Sequence, residues 1–189
     1  MSNDGQNILE LFQQTRKICE QVALLLSSQE AQMEKKDWKT DRSTAVSDMS
    51  YSIKYPAWWI PIVAFRFYQN ENYPNKLAFV SVLLDNHWDD EYSITEPLIT
   101  AGFFDFGEDK VDGDLQYSFA RIYGYLSKKH NLEHNGEPFS FDRTMLSSSH
   151  KGNFKSGKVF ALPLVSIEND KDIKSKITNK LLKLVEEKE

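Results

Sequence analysis

Residues 77–84 read Leu77-Ala78-Phe79-Val80-Ser81-Val82-Leu83-Leu84, an almost unbroken apolar run. Its length and its Val, Leu and Phe content suit a strand covered on both faces, which places it in the middle of a sheet. Just upstream, Asn70, Asn72, Pro74 and Asn75 read as a hairpin loop that separates it from another dense segment, 58–68. Segments 50–55 and 98–106 share the β-branched and aromatic character of strands. Short connections between such segments favour antiparallel pairing. Pro61 cannot donate to a ladder, so its strand is expected at an edge or with a bulge.

On either side of this block the period changes. Ile8, Leu11, Phe12, Ile18, Val22, Leu25 and Leu26 recur at helical spacing, so residues 5–34 read as one long amphipathic helix, with Asn3 or Asp4 as its cap. Its apolar face, residues 8–26, is expected to lie across the sheet. The alternative is a dimer seam, because Ile8, Leu11, Thr15, Ile18, Val22 and Leu25 also follow a heptad that Gln29 and Gln32 continue poorly. Residues 35–50 are polar and read as a loop with a short edge strand at most. A second helix is expected from Asp112 or Asp114, carrying Leu115, Phe119, Ile122 and Leu126 on one face and ending no later than Gly136 and Pro138. In 139–157 the alternation of Phe139 and Phe141 competes with loop signals at Ser147–Ser149 and Gly152. A strand from Lys158 to Ile167, interrupted by Pro163, precedes a last helix capped by Asn169 or Asp170. The reading is a single α+β domain over 1–189, with 35–50 and 130–157 rich in loop. It is a mainly antiparallel sheet of four to six strands packed by a long N-terminal, a middle and a C-terminal helix.

Composition agrees. A chain of 189 residues with 40% hydrophobic and 13% aromatic residues is too apolar for disorder and long enough to bury a core without a disulfide or metal staple. The one cysteine, Cys19, allows no intrachain disulfide, and a reducing cytoplasmic setting is expected. No apolar run nears the roughly 18 residues of a membrane span. The opening Met1-Ser2-Asn3-Asp4 has no basic region or apolar stretch, so no secretory leader is expected.

Several patterns bear on chemistry. Gly152, Gly157 and Lys158 fit the start of a phosphate-binding loop, but Val159 stands where magnesium needs a hydroxyl, and a strand follows where a helix should. His130-Asn131-Leu132-Glu133-His134 spells H-x-x-E-H, the zinc signature of the inverted zincin peptidases. On a continuous helix His130 and His134 would share a face and ligate zinc while Glu133 activated the bound water. Against this, the segment abuts Asn135-Gly136-Glu137-Pro138, where a helix should end, and only Glu137 or His150 offer a nearby third ligand. A solvated helix end, with both histidines exposed and metal-free, is the preferred reading.

Residues 85–114 hold ten carboxylates against Lys110, a net of −9, whereas 121–158 carry a net of +4 in a chain of net −5. The spacing is not that of an EF-hand, since the twelfth position from Asp105 is Gln116. Glu108-Asp109-Lys110 resembles a nuclease E-x-K element, but Gly107 and Gly113 put it in a turn. Asp85, Asp89, Asp90, Glu91, Asp105, Glu108 and Asp109 are therefore the candidate contact surface for a partner protein of basic character, and such a surface repels nucleic acid. Trp58, Trp59 and Trp88 are candidates for a ligand pocket, although strands select aromatics for packing alone. No serine or cysteine nucleophile stands out, and Cys19 reads as a small hydrophobe. The first expectation is a non-catalytic, cytoplasmic protein-binding or regulatory module without a cofactor. The alternatives are a small metal-dependent hydrolase and a ligand sensor with an aromatic pocket. A homodimer is compatible with the first reading, a membrane partner is not.

Overall fold

The computed structural model describes residues 4–40, 45–47, 53–54, 59–85, 94–109, 111, 117–146 and 153–187. Helix α1 (Asp4–Glu34) leads into two short strands, β1 (Lys39–Thr40) and β2 (Val46–Ser47). A meander follows: β3 (Val63–Gln69), β4 (Lys76–Leu83) and β5 (Leu98–Asp105). A 3-10 turn (Tyr117–Arg121) runs into α2 (Ile122–His130), and β6 (Phe139–Asp142) and β7 (Ser156–Pro163) complete the sheet. The C-terminal helix is continuous, passing from α3 (Asp170–Asp172) through a π-helical stretch (Ile173–Thr178) into α4 (Asn179–Glu186). Asn169 caps it, its side chain accepting from the amides of Lys171 and Asp172.

All pairings are antiparallel, in the order β1-β3-β4-β5-β7-β6. β2 pairs with the start of β3 and β1 with its end, so these seven strands fill six positions. β4 is central and almost wholly buried, because its alternate residues face two separate cores. Leu77, Phe79 and Leu83 join Phe65, Phe67 and Phe104 under α2 and the loops beside it. Ala78, Val80 and Val82 join Tyr68, Ile99, Phe103 and Phe160 under α1 and the C-terminal helix. A sheet sandwiched between helical layers explains why its strands lack the polar alternation of a one-sided sheet.

Several local expectations are corrected. The strand expected over 58–68 begins at Val63, so Pro61 lies ahead of it and needs no bulge. Of 50–55, only Ile53 and Lys54 are described, and they form a turn. The last strand runs from Ser156 and ends on Pro163, with a 3-10 turn (Leu164–Ser166) beyond it. Phe119 sits in the 3-10 turn and not in α2. The proposed caps Asp112 and Asp114 lie outside the described residues.

The largest correction concerns α1. Its 31 residues span about 46 Å at ~1.5 Å each, whereas an eight-residue strand spans only about 26 Å. A helix so long cannot be covered by this sheet along its whole length. Only Val22, Leu26, Gln29 and Met33 are buried, and Leu25 is half-buried. Ile8, Leu11, Phe12 and Ile18, expected in the core, stay 55%, 63%, 64% and 50% exposed. The covered half is held by polar contacts as well as packing. Arg66 on β3 donates to Glu30 at 2.8 Å, and Thr178 donates within a buried cluster with Gln29 and Gln32. Burial pushes the Glu30 carboxyl up, but its hydrogen bonds with Arg66 and Thr40 and the Arg66 charge together outweigh this, and the net shift is downward.

Candidate functional site

The H-x-x-E-H stretch is split by a helix end. α2 stops at His130, and Asn131 takes the left-handed conformation (φ 52°) as its C-cap. His130 and His134 therefore do not share a face of one helix, which is the geometry zinc ligation by this motif requires. The His130 ring packs on Phe139 with centroids 5.0 Å apart, and its Nε2 is buried without a hydrogen-bond partner. His134 Nδ1 lies 3.0 Å from the Tyr123 hydroxyl, which donates to the Glu133 carbonyl at 3.1 Å. These bonds are mutually consistent if Nδ1 carries the proton and donates to Tyr123. The Glu133 carboxylate accepts from Asn135 at 3.1 Å. Burial pushes the Tyr123 phenol up to about 12, so it stays a neutral donor at physiological pH.

The histidines are thus half-buried structural groups at the close of α2, which corrects the expectation that both are largely exposed. Among the described residues, no three His, Cys, Asp or Glu side chains come together as a metal site. We expect dialysed protein to retain far less than one zinc per chain by elemental analysis. Stoichiometric zinc, lost in His134→Ala, would instead favour a hydrolase.

The acidic candidates separate by role. Asp105 is engaged in its own turn, where one carboxylate oxygen accepts from Gly107 N at 2.7 Å and from Asn75 Nδ2 at 3.2 Å. That is turn chemistry, and the positive φ of Gly107 (72°) completes it. Asp85, Glu108 and Asp109 are exposed. Asp89, Asp90 and Glu91 lie outside the described residues, as do Trp58 and Trp88. Trp59 is 53% exposed and lies ahead of β3. Gly157 and Lys158 are laddered into β7, and Lys158 pairs with Glu187 at 3.1 Å, which is incompatible with a phosphate loop there.

What the sequence reading missed is the uncovered half of α1. N-terminal to Val22 no α1 side chain is buried, and Ile8, Leu11, Phe12 and Ile18 are half or more exposed. At the root of this projection lies a cleft of about 400 Å³ between α1 and the approach to the C-terminal helix. Ile18, Val22, Leu25, Leu164, Ile167 and Ile173 supply its apolar walls. The length of the periodic segment was the signal, since a helix much longer than any strand must overhang a sheet of this size.

No family model matches the chain, and no curated protein or solved structure is significantly similar to it.

Proposed function

We propose that the chain is a non-catalytic, cytoplasmic protein-binding module whose contact element is the projecting half of α1. The observation that carries this reading is the apolar surface of Ile8, Leu11, Phe12 and Ile18 left in water. A contiguous exposed apolar stripe rimmed by polar residues is the physical mark of an interaction site. A membrane surface suits it poorly. The projecting segment carries Asp4, Glu10 and Glu20 against Arg16 and Lys17, whereas interfacial helices have a basic polar face. No helix among the described residues is long and apolar enough to cross a membrane.

The acidic stretch 85–114 supports the same class of function. Its net −9 charge would steer a basic protein partner and repel nucleic acid, with Asp85, Glu108 and Asp109 exposed for that role. Asp105 contributes long-range charge only, because its carboxylate is committed to the turn.

Removal of residues 1–17 tests whether the projecting helix serves the fold or a partner. If its surface faces outward, the shortened chain should melt within about 2 °C of the full chain, since groups with no native contacts contribute under ~0.5 kcal/mol. A drop of roughly 10 °C or more would show that this segment packs on its own domain, and the reading would fail.

A further inference from the structure

The projecting half of α1 has a sequence suited to one kind of occupant. With Ile8 at position a of a heptad, a and d hold Ile8, Leu11, Thr15, Ile18, Val22 and Leu25. Position e adds Phe12, Cys19 and Leu26, and position g holds Asn7, Gln14 and Gln21. None of these flanking residues is charged. Glu10, Arg16, Lys17 and Glu20 fall at b, c or f, on the far side, and the one charge in register with the seam is Asp4, at d in the first turn. Helix pairs that select a different partner commonly encode it in e and g charges. Here that code is absent, and an identical helix meets the seam without like-charge repulsion while its side-chain amides can bond across the rim.

Resting on the protein-binding reading above, we propose that the occupant is a second copy of this chain, paired antiparallel through residues 4–21. Orientation follows from where the domain sits. Val22 and Leu26 are buried under the chain's own sheet and C-terminal helix, so the domain occupies the seam side from residue 22 onward. A parallel pair would bring both domains to that side at one end, where they collide. An antiparallel pair puts them at opposite ends and makes a closed two-fold contact.

In this arrangement Ile8 lies opposite Ile18 of the second copy, Leu11 opposite Thr15, and Phe12 close to the two-fold axis. The first turns of each helix then reach the cleft at the root of the other, whose lining includes Lys17, to meet the charge of Asp4, as well as Ile18, Val22 and Leu25. The exposed seam residues with their amide rim and the cleft give on the order of 500 Å² per copy, or roughly 1,000 Å² in all, the lower bound for a specific interface. A contact of this size forms a reversible dimer, so its population depends on concentration.

Sedimentation of the full chain over a concentration series tests the proposal. Wild type should pass from monomer to dimer. Leu11→Lys with Phe12→Lys, which places like charges at the two-fold axis, should raise the dissociation constant at least tenfold and leave the melting temperature unchanged at concentrations where both chains are monomeric. Glu20→Lys, on the outer side, should dimerise like wild type. Orientation is read by oxidative cross-linking. Phe12→Cys in a Cys19→Ser background should form a disulfide dimer, whereas wild-type Cys19 should not, being about 18 Å from its mate at ~1.5 Å per residue. A wild-type chain that stays monomeric at every concentration overturns the inference. The melting behaviour of the truncated chain would still separately decide whether the segment is an outward contact surface. Binding of that monomer to anionic vesicles would reassign the surface to a membrane.

Discussion

Phe104→Ala is expected to lower the free energy of unfolding by about 3–5 kcal/mol, the range for truncating a fully buried Phe. Phe104 is inaccessible to water and lies where the aromatic core converges. Its ring stacks on Phe119 at 4.5 Å and contacts Phe79 at 5.2 Å, Phe154 at 5.1 Å and Phe141 at 5.7 Å. These neighbours belong to β4, the 3-10 turn ahead of α2, β6 and the approach to β7. The cavity therefore cannot be closed by one side chain turning inward, because each neighbour is held by a different element. The loss corresponds to roughly 6–20 °C in melting temperature for a chain of this length. A urea titration measures it, and a fall below ~1 kcal/mol would mean that the first core is not packed as described.

Gly102→Ala should cost about 3 kcal/mol, the upper end for overpacking, although it adds a single methyl group. Gly102 sits on β5 between Phe79 of β4 and Val159 of β7. A β-carbon there would lie 2.2 Å from the Lys158 carbonyl oxygen and 2.9 Å from the Val159 α-carbon. Both are backbone atoms of the adjacent strand, so no rotamer change relieves the contact and the β5–β7 ladder must move apart. Gly5 offers the control, since nothing lies within 4 Å of its added methyl group, and Gly5→Ala should leave stability nearly unchanged. Comparable urea midpoints for the two variants would refute the close approach of β5 to β7.

Much of the scaffold was legible before any coordinates. Residues 77–84 announced a strand covered on both faces because neither parity of the run is polar, and β4 is buried on both sides. The asparagine-rich loop after Gln69 marked a hairpin, and Asn169 marked a helix start, because these side chains bond backbone amides that turns and helix ends leave unpaired. Such features depend on neighbours in the chain, which is why they can be read from it.

The functional surface depends on distant neighbours. Helical periodicity showed which face of α1 is apolar from Ile8 to Leu26, and its length that part must overhang, but not which end the sheet leaves uncovered. The histidine motif has the same limit. Its spacing is meaningful only on a continuous helix, and the left-handed Asn131 interrupts that helix one residue after His130. The sequence by itself determined the central strand, the cap at Asn169 and the apolar faces, since these follow from local stereochemistry and side-chain polarity. Only the tertiary structure decided which apolar surface is consumed by folding and which is left for a partner, because burial is set by the finite size of the layer packed against it.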